Sequence, residues 1–180
     1  MGIVLSKRQS NNQFSLSSFK NQITSIARPN RFAFHYNKLK ANHVFWAQKV
    51  NIPKIDIKGP SIKWRGTEYF LPGDATREYL NVTFINDSKW EVRSIIEDEA
   101  QKLRDFFENE NNGKDFFDDS NVGRATIDQY NDANELIVSY IFEDVIPLEI
   151  SEISLDHTQS SATETFDVTF YYSSYKRKTT

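Results

Sequence analysis

The side chains in this chain that could do chemistry are few and poorly placed for it. His35, His43 and His157 share no metal-ligand spacing, and with no Cys anywhere there is no thiolate to complete a metal site or act as a nucleophile. They read as strand-face and turn residues. Glu97-Asp98-Glu99 and Asp118-Asp119 concentrate acid. Consecutive residues on a helix do not face each other, so these are solvated faces rather than paired carboxylates. Gly113 and Gly123 flank an acidic loop that lacks the Gly-x-x-x-x-Gly-Lys spacing and would repel a phosphate. Ser6, Ser10 and Ser61 have no nucleophile-elbow context. No catalytic, cofactor-binding or metal-binding residue is assigned, and the chain reads as a non-enzyme.

The chemistry that does stand out is electrostatic. Residues 1–66 carry twelve Lys/Arg and one acidic residue, Asp56, whereas residues 67–180 carry ten Lys/Arg and twenty-four Asp/Glu. The net charge of −3 hides that split. Either the fold interleaves the two parts and evens out the surface, or the subunit is polarised and its basic side meets the acidic side of a neighbour. Complementary potentials of the second kind steer association and set orientation more than they add affinity. A head-to-tail contact closes into rings or propagates as filaments. Lys54, Lys58, Lys63 and Arg65 give residues 52–73 a basic character and are assigned to an oligomer interface. Lys176 and Arg177, in a basic tail over 176–180, are further contact candidates or a solvated end. The basic first third, interleaved with Phe and Trp, superficially suggests a nucleic-acid platform. The net negative charge argues against stable binding, because phosphate contacts supply most non-specific affinity.

These residues must be positioned by strands. In Thr165–Tyr172, Phe166, Val168, Phe170 and Tyr172 share one side and Thr165, Asp167, Thr169 and Tyr171 the other, which predicts one buried and one wet face. Arg31–Tyr36 and Asn42–Val50 read as strands, with Phe32, Phe34, Val44 and Trp46 as core candidates. Ile55–Ile57 and Ile62–Trp64 flank Gly59-Pro60, a turn signal, and predict a projecting hairpin or arm over 52–73. Leu80, Val82 and Phe84 mark a further strand. Ser88-Lys89-Trp90-Glu91 has capping-box spacing at the start of a helix over 88–111. Its apolar stripe is Trp90, Ile95, Ile96, Leu103, Phe106 and Phe107, and it stops near Asn111-Asn112-Gly113. Phe116 and Phe117 lie in an acidic loop, tucked under it or forming a contact. Ala125–Tyr130, Leu136–Asp144 and Pro147–Asp156 complete a count of about eight strands. Residues 1–14 read as a polar, mobile arm, and near-helical spacing from Phe14 to Ile26 as a short amphipathic helix over about 15–26. The fold class is mainly β, an antiparallel sandwich or partly open barrel with one flanking α-helix, in a single domain over 15–175. The 14 Phe, eight Tyr and three Trp suffice for its core. No run approaches the ~20 apolar residues a membrane helix needs.

Four motifs also carry a resemblance. Ala27-Arg28-Pro29-Asn30-Arg31-Phe32 opens the series. Leu71-Pro72-Gly73-Asp74 then leads into Leu80–Asp87, and Ala125–Tyr130 follows. The last runs from Pro147 through Glu149-Ile150-Ser151 and Leu155-Asp156 to Glu164-Thr165-Phe166-Asp167-Val168-Thr169-Phe170. In this order, over residues 15 to 175, the chain resembles the tail tube proteins of contractile-tailed bacteriophages. The resemblance implies a structural virion protein, made in the host cytoplasm, whose hexameric rings join their sheets into a continuous channel and stack into an inner tube. It also implies partners: other copies of the chain, a tail sheath protein, baseplate and tape-measure proteins, and double-stranded DNA in transit. A tube initiator or terminator, or the tube protein of type VI secretion, shares that design. The reading from a different class is a monomeric ligand-binding β-barrel, which predicts a cavity and a stable monomer.

Overall fold

Alternating apolar residues along paired strands bury one face only, and here two such faces close on each other. The computed structural model describes residues 15, 16, 20, 27–108, 121–158 and 162–179. The expected 1–14 arm, the Phe116-Phe117 loop and the helix stop near residue 112 lie outside the described residues. So does most of the expected 15–26 helix. The described elements run β1 (Phe32–Tyr36), a 3-10 segment (Ala41–Trp46), β2 (Ala47–Val50), β3 (Ile55–Ile57), β4 (Ser61–Trp64), β5 (Thr67–Phe70), β6 (Ala75–Arg77), β7 (Leu80–Ile85), α1 (Glu91–Glu108), β8 (Gly123–Tyr130), β9 (Leu136–Ile150), β10 (Thr165–Tyr171) and β11 (Ser174–Thr179).

The main sheet has the order β1-β8-β9-β10-β7-β2, with β11 also on β9, and every pairing is antiparallel. Strand β9 does two jobs. Its first part pairs with β8 and β11, and its end pairs with β10. The change of partner falls at Asp144, which adopts φ 54°. Left-handed backbone disfavours most residues but is tolerated by Asp, and it bends the strand from one layer into the other. Ser173 donates to the Asp144 carboxylate and holds that corner. Pro147 therefore lies inside a continuous strand, where the sequence pattern places a break between two. On that stretch β9 pairs on one side only, the edge setting in which a strand tolerates proline.

The core lies between the layers. Phe34 from β1 meets Phe84 of β7 edge-on at 5.9 Å and Phe170 of β10 at 6.3 Å, and Tyr36 reaches Phe170 at 5.3 Å. Phe84 stacks on Phe166 at 5.6 Å. Each ring buried this way contributes ~1.5–3 kcal/mol, and each close pair ~0.5–1.5 kcal/mol more. Phe166, Val168, Phe170 and Tyr172 are all buried, as their alternation requires. The layers do not close into a barrel: β1 and β2 are the two ends of the strand order. A groove of about 660 Å³ lies beside them, lined by Phe32, Val50, Ile52 and Ile127.

Two local expectations change. Asn42–Val50 is not one strand, because Ala41–Trp46 winds into a 3-10 segment that leaves Phe45 exposed and only half-buries Val44 and Trp46. The helix cap is Asp87, not Ser88. Asp87 accepts from the backbone N–H of Lys89 at 3.3 Å and of Glu91 at 2.9 Å, and Trp90, at φ 56°, turns the chain into α1. The Glu91 carboxylate accepts from Lys40 and pairs with His43. Helix α1 drives Val92 and Ile96 into the core, and Arg93 lies over the Phe166 ring at 5.2 Å.

Candidate subunit interface

Between β2 and β7 the chain leaves the core and returns as a long two-stranded ribbon. β3 pairs with β6, Ile55 opposite Arg77 and Ile57 opposite Ala75; β4 pairs with β5, Ser61 opposite Phe70 and Trp64 opposite Thr67. The ribbon reverses at Arg65-Gly66, where φ is 47° and 85°, the positive pair that a two-residue hairpin turn demands. It does not reverse at Gly59-Pro60, as the sequence pattern suggests. There the two limbs touch backbone to backbone. A Cβ at Gly59 would stand 1.8 Å from the Leu71 carbonyl oxygen, and the N–H of Gly73 donates to the Lys58 carbonyl at 2.9 Å. Glycine is required for contact, not reversal.

Every residue of β4, β5 and β6 is exposed. The ribbon is nonetheless apolar. By cross-strand register Ile62, Trp64 and Tyr69 share one face and Lys63, Glu68 and Phe70 the other. Trp64 is 65% exposed and Phe70 56%. An isolated two-stranded ribbon is marginal in water, and uncovered apolar surface on this scale makes it a candidate contact site. Arg65 lies over the Trp64 ring at 5.9 Å, keeping its charge at the tip.

The root is fixed. Arg77 donates to the Ser173 carbonyl at 2.9 Å and the Tyr172 hydroxyl to the Glu78 carbonyl at 2.9 Å. Burial, the larger cause, and the nearby Tyr175 push the Tyr172 phenol above its usual range, so it stays a donor. These bonds tie the ribbon to the turn between β10 and β11.

The six assigned cations thus occupy two elements. Lys54, Lys58, Lys63 and Arg65 belong to the ribbon, where Lys54 reaches Asp56 at 3.9 Å and Lys58 and Lys63 make no ion pair with a described residue. Lys176 and Arg177 are not in a tail: they lie in β11, which pairs with β9 from Ser174 to Thr179. Lys176 donates to Glu143 at 3.1 Å, and that bond, with one from Ser174, holds the Glu143 carboxyl below its usual range. The fold also evens out part of the charge split, since Arg28 and Arg31 pair with Asp132 and Lys40 with Glu91. Among the described residues Lys58, Lys63 and Arg65 of the ribbon make no ion pair.

Sequence reasoning found the first limb and its basic residues but not the second limb, Thr67–Phe70. The available signal was Arg65-Gly66 between two strand-like runs. Among the described residues no cluster of three or more His, Asp or Glu could hold a metal ion, and no helix is long and apolar enough to cross a membrane.

No protein-family model and no curated protein matches the chain by sequence. Solved structures do match by fold. A chain in the six-fold symmetrised baseplate of the anti-feeding prophage superposes with TM-score 0.59 at 10% identity, over 86% of this chain and 97% of that one. A chain in the sheath/tube terminator of an extracellular contractile injection system, in the extended state, gives 0.59 at 14%, over 85% and 96%. One in the sheath-tube complex of such a system gives 0.51 at 19%, over 89% and 97%. At these identities the likeness is one of fold, and it extends over nearly the whole of each compared chain.

Proposed function

We propose that this chain is a structural subunit of the inner tube of a contractile tail. Copies form rings, the rings stack, and a sheath protein surrounds the resulting conduit, through which double-stranded DNA passes. The observation that carries the reading is the uncovered apolar, basic ribbon on a fold shared with chains of tube-bearing assemblies. A monomeric ligand-binding barrel has no use for such a ribbon, and the strands here do not close around a cavity. The work is mechanical and calls on no catalytic residue. Baseplate and tape-measure proteins are further partners of the same reading, and the location is the tail of a virion or a related particle.

The likeness to the terminator assembly supports a second reading, in which the chain ends a tube rather than extending it. Negative-stain electron microscopy over a range of concentrations separates the two. Stacked tubes are expected of a tube subunit, and single rings that do not stack of a terminator. A monodisperse monomer at every concentration would overturn both. Reversal of Lys58 and Lys63 to Glu should abolish or slow assembly and leave the melting temperature unchanged, because exposed charges contribute ~0–1 kcal/mol to stability. Unimpaired assembly of that variant would remove the ribbon from the interface.

A further inference from the structure

At the end of β9 and just past it the chain carries further exposed apolar residues, beside charge of the opposite sign. Leu148 is 52% exposed and Leu155 76%, and between and beside them Glu149, Glu152 and Asp156 are exposed and acidic. None of the three makes an ion pair with a described residue. Asp167, exposed on the neighbouring strand and hydrogen-bonded by Thr83 at 2.5 Å, is likewise without a cation. The strip is firmly seated. Ile150 and Ile153 pack against the core beneath it, the Ser151 N–H donates to the Asp167 carbonyl at 2.8 Å, and Arg93 donates to the Ser151 carbonyl at 3.1 Å. The Asp156 carboxylate accepts from the backbone N–H of Thr158 at 2.9 Å and from its hydroxyl at 2.8 Å, which fixes it and keeps it ionised.

We infer that this strip, Leu148 to Asp156, is the docking site for the ribbon of a second copy of the chain. Resting on the interface role proposed above for the ribbon, it names what the ribbon touches. The two surfaces complement each other in kind. On its Lys63 face the ribbon offers Phe70 with Lys63 and a single acid, Glu68, with Arg65 at the reversal and Lys58 nearer the root; the strip offers Leu148 and Leu155 with Glu149, Glu152 and Asp156. Each is apolar enough to need cover, and each carries charges that no described residue of its own chain pairs. Apolar burial would supply affinity and the charges the register. The contact is heterologous, ribbon to strip rather than ribbon to ribbon, so each bound copy presents a free ribbon and a free strip to the next.

The chain contains no Cys, so introduced thiols react in a clean background. Lys63→Cys in one preparation and Glu152→Cys in another, both at exposed positions, are mixed under assembly conditions and treated with a short bismaleimide. A cross-linked dimer from the mixture, at a yield several-fold above either variant alone, is the expected result. Asp98→Cys on α1 and Glu135→Cys at the β8–β9 turn serve as acidic sites elsewhere. Capture of Lys63→Cys by one of these and not by Glu152→Cys would overturn the strip and leave the ribbon an interface. No capture at any of the three would overturn the strip and the ribbon's role together.

Discussion

Glu91 joins α1 to the 3-10 segment and the residue before it through one carboxylate. It lies in the first turn of α1, accepts from Lys40 at 3.0 Å, and pairs with the buried His43 at 3.2 Å. The hydrogen bond from Lys40, then that from His43, holds its carboxyl below the ordinary range. With the folded-state pKa below the unfolded one, its contribution is full above the unfolded pKa and is lost as pH falls through the folded pKa. Between about pH 5 and pH 3, wild-type stability should therefore fall, and Glu91→Gln should fall less steeply. Glu143 and Asp156 are also held down, so the slope is reduced rather than removed. Chemical denaturation across that range checks this, and equal slopes would mean that the cluster is not formed. The sequence shows Glu91 only as a capping-box partner. Its real partners are 51 and 48 residues away, and no local pattern announces them.

At the scale of elements, pattern and structure agree wherever a strand has one wet face. β7 and β10 are legible because their apolar residues alternate with Asn81, Thr83, Asp167 and Thr169, which hydrogen-bond across the outer face. They fail where a backbone conformation decides. The bend at Asp144 and the reversal at Arg65-Gly66 depend on positive φ at non-glycine residues, which sequence tolerates but does not require. The Gly59-Pro60 signal is real, but it marks close approach of two limbs. Gly59→Ala tests that distinction. Its Cβ would collide with the Leu71 backbone, so the limbs must part and β4 and β5 should lose their pairing. The core, which meets the ribbon at its root, should keep its unfolding free energy to within the ~0.5 kcal/mol typical of surface substitutions. Amide chemical shifts that change throughout residues 55–77 and not in β7 or β10 are expected. Unchanged ribbon shifts would show that the limbs are not in contact.

The whole molecule keeps its two unlike surfaces on unlike elements, and this decides how assembly should respond to salt. Had the fold neutralised all of the sequence's charge asymmetry, salt would matter little. It neutralises Arg28, Arg31 and Lys40, and leaves Lys58 and Lys63 facing solvent on the ribbon and Glu149 and Glu152 facing solvent at and past the end of β9. Charges so placed act mainly on the encounter of two subunits, since steering operates across the Debye length, ~30 Å at 0.01 M salt and ~3 Å at 1 M. An apolar contact of the ribbon's exposed side chains with a neighbour would not be screened, and salting-out ions would strengthen it. Initial assembly rates followed by light scattering should therefore fall at least tenfold between ~0.01 M and ~1 M NaCl, the lower end of the range attributed to steering. Tubes already formed should persist through the same change, because their dissociation is set by buried apolar surface. Rates independent of salt would show that the ribbon docks by apolar contact alone. Tubes that dissolve in high salt would show the reverse, that charge and not the exposed aromatic face of the ribbon holds one subunit to the next.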